Sequence, residues 1–298
     1  MAVVIEDKYI IKDKIGEGMF GMIFLAKNKY TEEMVAIKLD ESILLKNEAR
    51  IYRVLADIKG ISKLRSFGSI DKYNYMVIDR LGKSFEDIKV ENRIDTKTII
   101  LVGLQMIRRI ESVHKRNIIH RDIKPENFLI GCGEEKNLVY IIDFGLSKLF
   151  KINNKHIARE SGRSIVGTLP FVSLNIHEGF TPSRRDDMES IGYTLIYLFL
   201  GGLPWVNINT NLLCEGLKSE KDKERVDSDI LERETYRLKK TTNFWNIDGL
   251  SGELIIFIKY CRGLRFDEEP DYEYLKMLLT NLYKMKKYPI DNIFCWDV

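Results

Sequence analysis

The chain has 298 residues, of which 45% are hydrophobic and 31% charged, and this balance is typical of a folded globular protein with a sizeable core. Its 47 basic and 44 acidic residues leave a net charge of +3, which excludes a protein whose whole surface binds nucleic acid. The longest apolar run, residues 191–205, is shorter than the roughly 20 residues that span a bilayer, so we predict a buried helix and no membrane anchor.

The cysteines and the termini give no sign of secretion. Cys132, Cys214, Cys261 and Cys295 show no C-x-x-C spacing, which argues against a zinc site or a disulfide framework. The first residues contain no basic and apolar segment typical of a signal peptide. We therefore expect buried thiols in a reducing compartment, the cytoplasm, the nucleus or both, and no regulatory tail.

The first predicted elements are two strands, residues 9–15 and 21–27, joined by the turn Gly16-Glu17-Gly18-Met19-Phe20-Gly21. A G-x-G-x-x-G sequence also occurs in dinucleotide-binding proteins, but there a helix follows. Here Met22-Ile23-Phe24-Leu25-Ala26 is typical of a strand. A glycine loop between two strands indicates a flap over nucleotide phosphates.

A third strand, residues 34–39, carries Val35-Ala36-Ile37-Lys38 and predicts a lysine that pairs with nucleotide phosphates. Such a lysine needs a glutamate partner on the next helix, which we predict over residues 43–56. Glu48 is the preferred partner and Glu41 the alternative. Further strands at residues 61–69 and 73–79 complete a small, mostly antiparallel lobe.

The next predicted element is a long helix over residues 96–116, which Asp95 caps. Its apolar residues recur at helical spacing and form one stripe: Ile99, Ile100, Met106, Ile107, Ile110 and Val113. The stripe indicates a helix that packs against a core.

After this helix comes His120-Arg121-Asp122-Ile123-Lys124-Pro125-Glu126-Asn127, followed by Asp143-Phe144-Gly145. Asp122 is suited to accept the proton of an attacking hydroxyl, and Lys124 to meet the transferring phosphate. Asn127 and Asp143 offer oxygen ligands for Mg²⁺. These motifs, in the order glycine loop, lysine, catalytic loop and metal loop, are the signature of a eukaryotic-type protein kinase that uses Mg-ATP.

The remaining elements are mostly helical. Residues 187–200 are nearly all apolar and predict a central buried helix, and Pro270-Asp271 starts a last helix with Tyr274, Leu275, Leu278 and Leu282 facing inward. Residues 218–239 are densely charged and predict an exposed loop and helix. We therefore predict an α+β, two-lobed kinase domain over 1–298, with a sheet lobe of about 1–80 and a helical lobe of about 83–298.

The chain resembles the casein kinase I family over nearly its whole length. Three segments carry the likeness: residues 137–148 around Asp143, residues 183–193 with the sequence Ser-Arg-Arg-Asp-Asp-Met-Glu-Ser-Ile-Gly-Tyr, and residues 261–267. Ser173-Leu174-Asn175 stands where most protein kinases carry Ala-Pro-Glu and the family has Ser-Ile-Asn. Vaccinia-related kinases are similar but carry glycine in place of Arg121.

The resemblance implies roles for residues at matching positions. The nucleotide-binding set is Ile15, Gly16, Glu17, Gly18, Met19, Phe20, Gly21, Ile23, Ala36, Lys38, Glu48, Ile78, Asp79, Leu81, Leu129 and Ile142. In it, Ile15, Ile23, Ala36, Leu129 and Ile142 would enclose adenine, the backbones of Asp79 and Leu81 would hydrogen-bond its edge, and Ile78 would limit the depth of the pocket. Arg121 would bind an anion near the activation segment.

The same resemblance implies the activity and its partners. A casein kinase I relative phosphorylates serine or threonine in acidic or phosphate-primed proteins, is active without phosphorylation of its activation loop, and acts as a monomer. Arg184 and Arg185 match the arginines of the substrate anion site, although Arg185 is equally well explained as a structural residue. A catalytically inactive scaffold is disfavoured because Lys38, Asp122 and Asp143 are all present. A small-molecule kinase of related fold fits the later segments poorly.

Two segments depart from the family. Gly167-Thr168-Leu169-Pro170-Phe171-Val172-Ser173 replaces Gly-Thr-Ala-Arg-Tyr-Ala-Ser and loses an arginine. After Trp205, residues 206–231 match nothing uniquely, and Val206-Asn207 replaces a polar pair. These departures weaken the expected preference for primed substrates and leave the catalytic prediction intact.

Overall fold

The computed structural model describes residues 3–18, 21–91, 94–206 and 220–297. They form two compact units, one of residues up to Ile88 together with Glu126–Ser147, and one of Lys89–Pro125 together with residues from Lys148 onward. The segment 126–147 thus belongs to the first unit. The lobe boundaries expected from the sequence stay a prediction.

The longer strands all belong to one sheet. They are β1 (Val4–Ile5), β2 (Tyr9–Gly18), β3 (Gly21–Asn28), β4 (Met34–Asp40), β5 (Leu64–Ile70), β6 (Tyr73–Asp79), β7 (Ile118–Ile119), β8 (Phe128–Ile130), β9 (Val139–Ile141), β10 (Lys148–Leu149), β11 (Lys151–Ile152) and β12 (Lys155–His156). The sheet of the first unit has the order β1-β2-β3-β4-β6-β5, and every neighbouring pair is antiparallel. A separate hairpin pairs β8 with β9.

The helices lie mostly in the second unit. They are α1 (Leu44–Val54), α2 (Phe85–Glu91), α3 (Thr96–His114), α4 (Leu174–His177), α5 (Arg184–Leu200), α6 (Glu220–Thr241), α7 (Gly252–Gly263) and α8 (Tyr272–Met285). The α+β class expected from the sequence, with an antiparallel-sheet unit and a mainly helical unit, is confirmed.

The sheet of the first unit has one core face. Side chains alternate along a strand, so Val35 and Ile37 of β4 point into the core and Ala36 and Lys38 point away from it. The core cluster comprises Ile5, Tyr9, Ala26, Val35, Ile37, Tyr75 and Val77. The opposite face is therefore the one that carries the predicted phosphate-binding lysine.

The second unit is built around α3 and α5. The side chain of Asp95 accepts a hydrogen bond from Thr98 N at 2.7 Å, as the predicted cap requires, and the whole apolar stripe of α3 is buried. In α5, the backbone N–H of Ser183 donates to Asp186 Oδ2 at 2.7 Å as part of a capping box. The helix begins three residues earlier than expected, because this cap lies before the apolar run.

The last helix agrees with the sequence except at one position. Asp271 caps α8 by accepting from Tyr274 N at 2.8 Å, and the buried residues include Leu275, Leu278 and Leu282. Tyr274 is only half buried, and Tyr272 is buried in its place. The Tyr274 ring packs 5.1 Å from the Tyr260 ring, so the inward position expected for it is met in part, and Tyr272 is a further buried residue that the sequence did not indicate.

Candidate active site

The first unit brings three charged side chains of the predicted site together. The Lys38 Nζ atom on β4 lies 2.8 Å from Glu48 Oε2 on α1 and 3.0 Å from Asp143 Oδ1, which follows β9. Lys38 and Glu48 are 8% and 2% exposed, so their pair is almost entirely removed from water. Glu41 is exposed and pairs with Lys72 at 2.6 Å instead. The structure thus places Glu48, and not Glu41, against Lys38.

Burial controls the protonation of this cluster. It raises the pKa of the Glu48 carboxyl to about 7; Lys38 acts against that rise, and Asp143 adds to it. Burial also works against the charge on Lys38, but the carboxylates of Glu48 and Asp143 outweigh it and hold the Lys38 pKa above its usual value. The ion pair is therefore most complete above neutral pH.

Asp143 is held in an uncommon backbone conformation. Its φ of 64° lies in the left-handed region, which a non-glycine residue adopts only where its surroundings hold it. The backbone N–H of Asp143 donates to Tyr52 Oη at 3.3 Å. The Tyr52 ring in turn meets Phe144 edge to face, with centroids 5.1 Å apart. Tyr52 is therefore a buried support for Asp143 that the motifs did not reveal.

The hairpin of β8 and β9 places the two expected metal ligands at one end. Phe128 pairs with Ile141, and Ile142 N donates to Asn127 O at 3.0 Å. Asn127, just before β8, and Asp143, just after β9, therefore lie at the same end of the hairpin. Amide and carboxylate oxygens are the ligands that Mg²⁺ prefers, and Mg²⁺ commonly takes one or two of them together with substrate phosphates. The residues present fit a nucleotide-bound Mg²⁺. Within the ranges that the structure describes, no group of three or more His, Cys, Asp or Glu side chains is arranged so that it could hold a metal ion by itself.

Three residues of the predicted adenine pocket, Ile23, Ala36 and Ile78, share the sheet face of Lys38. The register pairs Ile23 with Lys38 and Ala36 with Ile78, which puts them on the side opposite the core cluster. The apolar side chains of the predicted pocket are half buried, except for Ile15, which is exposed; the half-buried ones are Ile23, Ala36, Ile78, Leu81, Leu129 and Ile142. A group of half-buried apolar side chains is the kind of surface that a flat aromatic ligand covers.

The connection after β6 bears on how the adenine edge would be read. Asp79 N donates to Lys63 O at 3.2 Å, and Asp79 O accepts from Ser62 Oγ at 3.2 Å. In the described part of the chain, the backbone groups of Leu81 make no hydrogen bond. The backbone of Leu81 is therefore better placed to bind a ligand than that of Asp79.

The glycine loop closes the hairpin of β2 and β3, where Gly18 pairs with Gly21. Gly21 has a φ of +103°, and a Cβ there would overlap the carbonyl oxygen of Leu39. Only glycine fits this position. Gly16 and Glu17 lie on β2, and Glu17 pairs with Lys14. Met19 and Phe20, predicted at the tip, lie outside the described residues.

The second unit assembles the expected catalytic base with two partners. Asp122 is 4% exposed, and its Oδ1 atom accepts a hydrogen bond from Thr168 Oγ1 at 2.7 Å. Lys124 Nζ donates to the same hydroxyl at 3.0 Å and lies 3.2 Å from Asp122 Oδ2. We call these three residues the catalytic triangle. The sequence indicated Asp122 and Lys124, whereas Thr168 appeared only as part of a segment that departs from the family, with no catalytic role predicted for it.

A buried carboxylate fixes the loop that carries Asp122. Asp187 accepts from the backbone N–H groups of His120 at 2.7 Å and Arg121 at 2.9 Å, and it lies 2.9 Å from His114 Nε2. These donors hold the pKa of Asp187 below its usual value although burial acts in the opposite direction. His120 is fully buried, and its Nδ1 atom accepts from Asp122 N at 3.3 Å, which agrees with a structural role.

The comparison with known families agrees with this geometry. The family described as Protein kinase domain matches residues 9–270. The chain belongs to the protein kinase family. The match spans the glycine loop, Lys38, the catalytic triangle and Asp143, and so establishes a phosphotransferase of the kinase type, for which the family implies ATP and protein substrates.

The two arginines of the expected substrate anion site bind other parts of the kinase. Arg184 donates to Asp267 O at 2.8 Å, and its guanidinium lies 4.7 Å from the centre of the Phe150 ring. Arg185 is 7% exposed and donates to Leu264 O and to Asn175 Oδ1, both at 2.8 Å. The contacts of Arg185 are those of a structural residue, and Arg184 stays the candidate for anion binding.

The kinase also has a cavity of about 400 Å³ beside Arg121. Arg163, Ser164 and Lys148 contribute to its walls, and Arg163 pairs with Glu160. Three basic residues around one cavity agree with the anion-binding role expected for Arg121. Of the helices in the described part of this kinase, none is both long and apolar enough to cross a membrane.

Proposed function

We propose that this protein kinase transfers the γ-phosphoryl group of Mg-ATP to serine or threonine of protein substrates and is a casein kinase I relative. The catalytic triangle is the observation that carries the proposal. Lys124 lies two residues after Asp122 and meets both the carboxylate and the hydroxyl of Thr168. This placement of a cation in the catalytic loop is the serine/threonine type.

Each residue has a separate part in the reaction. Asp122 orients the acceptor hydroxyl and takes its proton as the hydroxyl oxygen forms a bond to the γ-phosphorus. The bond from that phosphorus to the bridging oxygen of ADP breaks, and Lys124 neutralises charge on the transferring group. Lys38, held by Glu48, binds the phosphates that remain on the nucleotide. Asn127 and Asp143 would hold Mg²⁺, which neutralises the phosphate charge when bound.

An inactive scaffold of the same fold is the alternative. Such proteins commonly lose one of the charged residues that bind nucleotide or position the hydroxyl. Here Lys38, Glu48 and Asp143 are assembled with distances of 2.8 and 3.0 Å, and Asp122 has two partners. These contacts favour an active enzyme.

The proposal is tested with radiolabelled ATP and three peptides that differ only in a serine, threonine or tyrosine acceptor. We expect label on the first two peptides only. Asp122→Asn should lower turnover on the order of a hundredfold or more and leave the ATP KM within about twofold, because only the group that orients the hydroxyl is lost. Asp248→Asn, at an exposed position, is the matched control. Equal labelling of tyrosine, or near-normal turnover by the Asp122 variant, would contradict the proposal.

We also propose that activity needs no phosphorylation of the activation segment. Ser161 and Ser164 are exposed, and the Thr168 hydroxyl is already bonded to Asp122 and Lys124. Protein made in bacteria and treated with phosphatase should remain active. Dependence on a second kinase would refute this part.

For substrate choice we propose acidic or phosphate-primed sequences, with a smaller preference than in the casein kinase I family at large. Arg184 already donates to Asp267 O, and Val206 replaces a polar residue. A Ser-x-x-Ser peptide with and without phosphate on the first serine measures the preference. Arg184→Ala should reduce it about tenfold, as expected for one charged contact of about 1–3 kcal/mol. An unchanged preference would move the site to residues 218–225, whose side chains lie outside the described part.

The resemblance also leads us to propose a monomer that acts in the cytoplasm, the nucleus or both. Sedimentation of the purified protein and a fluorescent fusion in cells check these two points separately. A dimer at micromolar concentration would contradict the first, and secretion would contradict the second.

A further inference from the structure

A lysine near the end of α6 is completely buried although the helix is densely charged. Lys239 has 0% exposure, and Thr235, one turn earlier on the same face, has 2%. The next residue, Lys240, is exposed and lies 3.3 Å from Glu178. The sequence predicted an exposed helix here, and that prediction was wrong for Lys239 and for Thr235.

The buried ammonium meets three acceptors. Lys239 Nζ donates to Leu169 O at 2.8 Å and to Val172 O at 2.7 Å, and it lies 3.1 Å from His177 Nε2. Burial, together with the charge of Lys239, lowers the pKa of His177 to about 3, so this ring is neutral. An ammonium can only donate, so a protonated Lys239 pairs with the tautomer in which Nε2 accepts. Three acceptors match the three N–H donors of a lysine ammonium.

Such a position is unfavourable for a cation unless its partners compensate. Burial lowers the pKa of Lys239 well below its usual value; Glu189 acts against this, and Arg262 adds to it. The rings of Tyr193 and Trp205 lie 5.1 and 5.6 Å from the nitrogen and offer further compensation. A methionine would fill the same space without the free-energy cost of removing a charge from water. The lysine is therefore explained by the hydrogen bonds that it donates.

The two carbonyl acceptors, Leu169 O and Val172 O, belong to one short loop, residues 168–172, which we call the acceptor loop. Besides the two carbonyls held by Lys239, Pro170 O accepts from Trp205 Nε1 at 2.8 Å. Thr168 O accepts from Phe171 N at 2.8 Å. Four of the five carbonyls in this loop thus have a donor, and two of the four depend on Lys239.

The acceptor loop is also bonded to the catalytic base, because its first residue, Thr168, donates to Asp122 Oδ1 at 2.7 Å. We propose that Lys239 is a positioning residue for the protein substrate: its ammonium fixes the backbone of residues 169–172 and so aligns the acceptor loop with Asp122. This inference rests on the proposed function, since it takes the loop to border the acceptor hydroxyl. Lys239 belongs to none of the four sequence motifs, and its hydrogen-bond partners Leu169, Val172 and His177 are not among the residues predicted to bind ATP or Mg²⁺.

The test compares Lys239→Met with Lys240→Met, two equal changes on neighbouring residues of one helix. For each we would measure kcat/KM for a peptide, the ATP KM, and the slow transfer of phosphoryl to water without peptide. Lys239→Met should lower peptide kcat/KM on the order of tenfold to a hundredfold, as expected for a displaced reacting group. The ATP KM and transfer to water should stay within about twofold of wild type, and Lys240→Met should change none of the three.

Two outcomes would overturn the proposal. If Lys239→Met has the peptide kcat/KM of wild type, the ammonium does not position the substrate. If it loses transfer to water by the same factor as transfer to peptide, its role is general stability. The activity of the wild type toward peptides tests the proposed function by itself. The ratio of the Lys239→Met kcat/KM for peptide to the wild-type value tests the role of Lys239.

Hydrogen exchange gives a readout that needs no substrate. We expect Lys239→Met to speed amide exchange over residues 168–173 and to leave that of residues 188–198 in α5 unchanged. Unchanged exchange in the loop would also overturn the proposal. If the methionine variant does not fold, as judged by a missing thermal shift with Mg-ADP, Lys239→Gln gives the same measurements, since its amide keeps a donor in the same space.

Discussion

Thr168 offers the sharpest single perturbation of the catalytic triangle. Replacing it by valine keeps the branched shape and removes only the hydroxyl, which donates to Asp122 Oδ1 at 2.7 Å and accepts from Lys124 Nζ at 3.0 Å. The variant leaves Lys124 against the other carboxylate oxygen at 3.2 Å. Asp122 therefore keeps its charge partner and loses its orienting hydrogen bond.

The expected magnitude follows from the chemistry of that bond. A hydrogen bond to a charged group contributes about 1.5–3 kcal/mol, and Asp122 is 4% exposed, so water cannot readily replace the hydroxyl. At about 1.36 kcal/mol per tenfold change in rate, Thr168→Val should lower kcat/KM for a peptide about tenfold to 150-fold. The ATP KM should not change, because Thr168 touches no residue predicted to bind the nucleotide.

The assay uses a poor peptide substrate at low concentration, so that the chemical step and not product release limits the rate. Thr168→Ser is the matched control, since it keeps the hydroxyl, and we expect it within about threefold of wild type. A valine variant within twofold of wild type would refute the reasoning. So would a serine variant as impaired as the valine variant, or phosphate found on Thr168 in active protein.

Two further perturbations test the first unit. Burial raises the pKa of Glu48 to about 7, so the carboxylate that pairs with Lys38 becomes protonated as the pH falls through 7. We expect kcat/KM for ATP to decline below that pH, and we expect no such decline for Glu48→Gln. The same decline in both proteins would exclude Glu48 as its source. Gly21→Ala should lower the melting temperature and raise the ATP KM, because a Cβ at a φ of +103° meets Leu39 O. Gly18→Ala is the control and should have a smaller effect on stability, because the structure leaves open space there. Equal melting temperatures for the two variants would contradict the close contact at Gly21.

The features that the sequence predicted are those that depend on residues close together in the chain. The strands flanking the glycine loop, the cap at Asp95 and the partnership of Lys38 with Glu48 each follow from short motifs or from residue periodicity. Thr168 and Asp187 escaped prediction because their roles arise from contacts across 46 and 67 positions of the chain. Lys239 was misjudged for a related reason. Composition predicts a charged helix to be exposed, and only tertiary packing shows that one of its lysines enters the core.

The first turn of α5 also joins two parts of the second unit that are far apart in the chain. Two adjacent carboxylates there serve separate segments: Asp187 holds the backbone of His120 and Arg121, and Asp186 accepts from Ser173 Oγ at 2.5 Å. Both segments therefore depend on the same helical turn, so the conformation of the catalytic loop and that of the end of the activation segment are coupled through α5. An insertion between the two carboxylates would rotate one of them away by about 100° and uncouple the two segments that a single helical turn now holds.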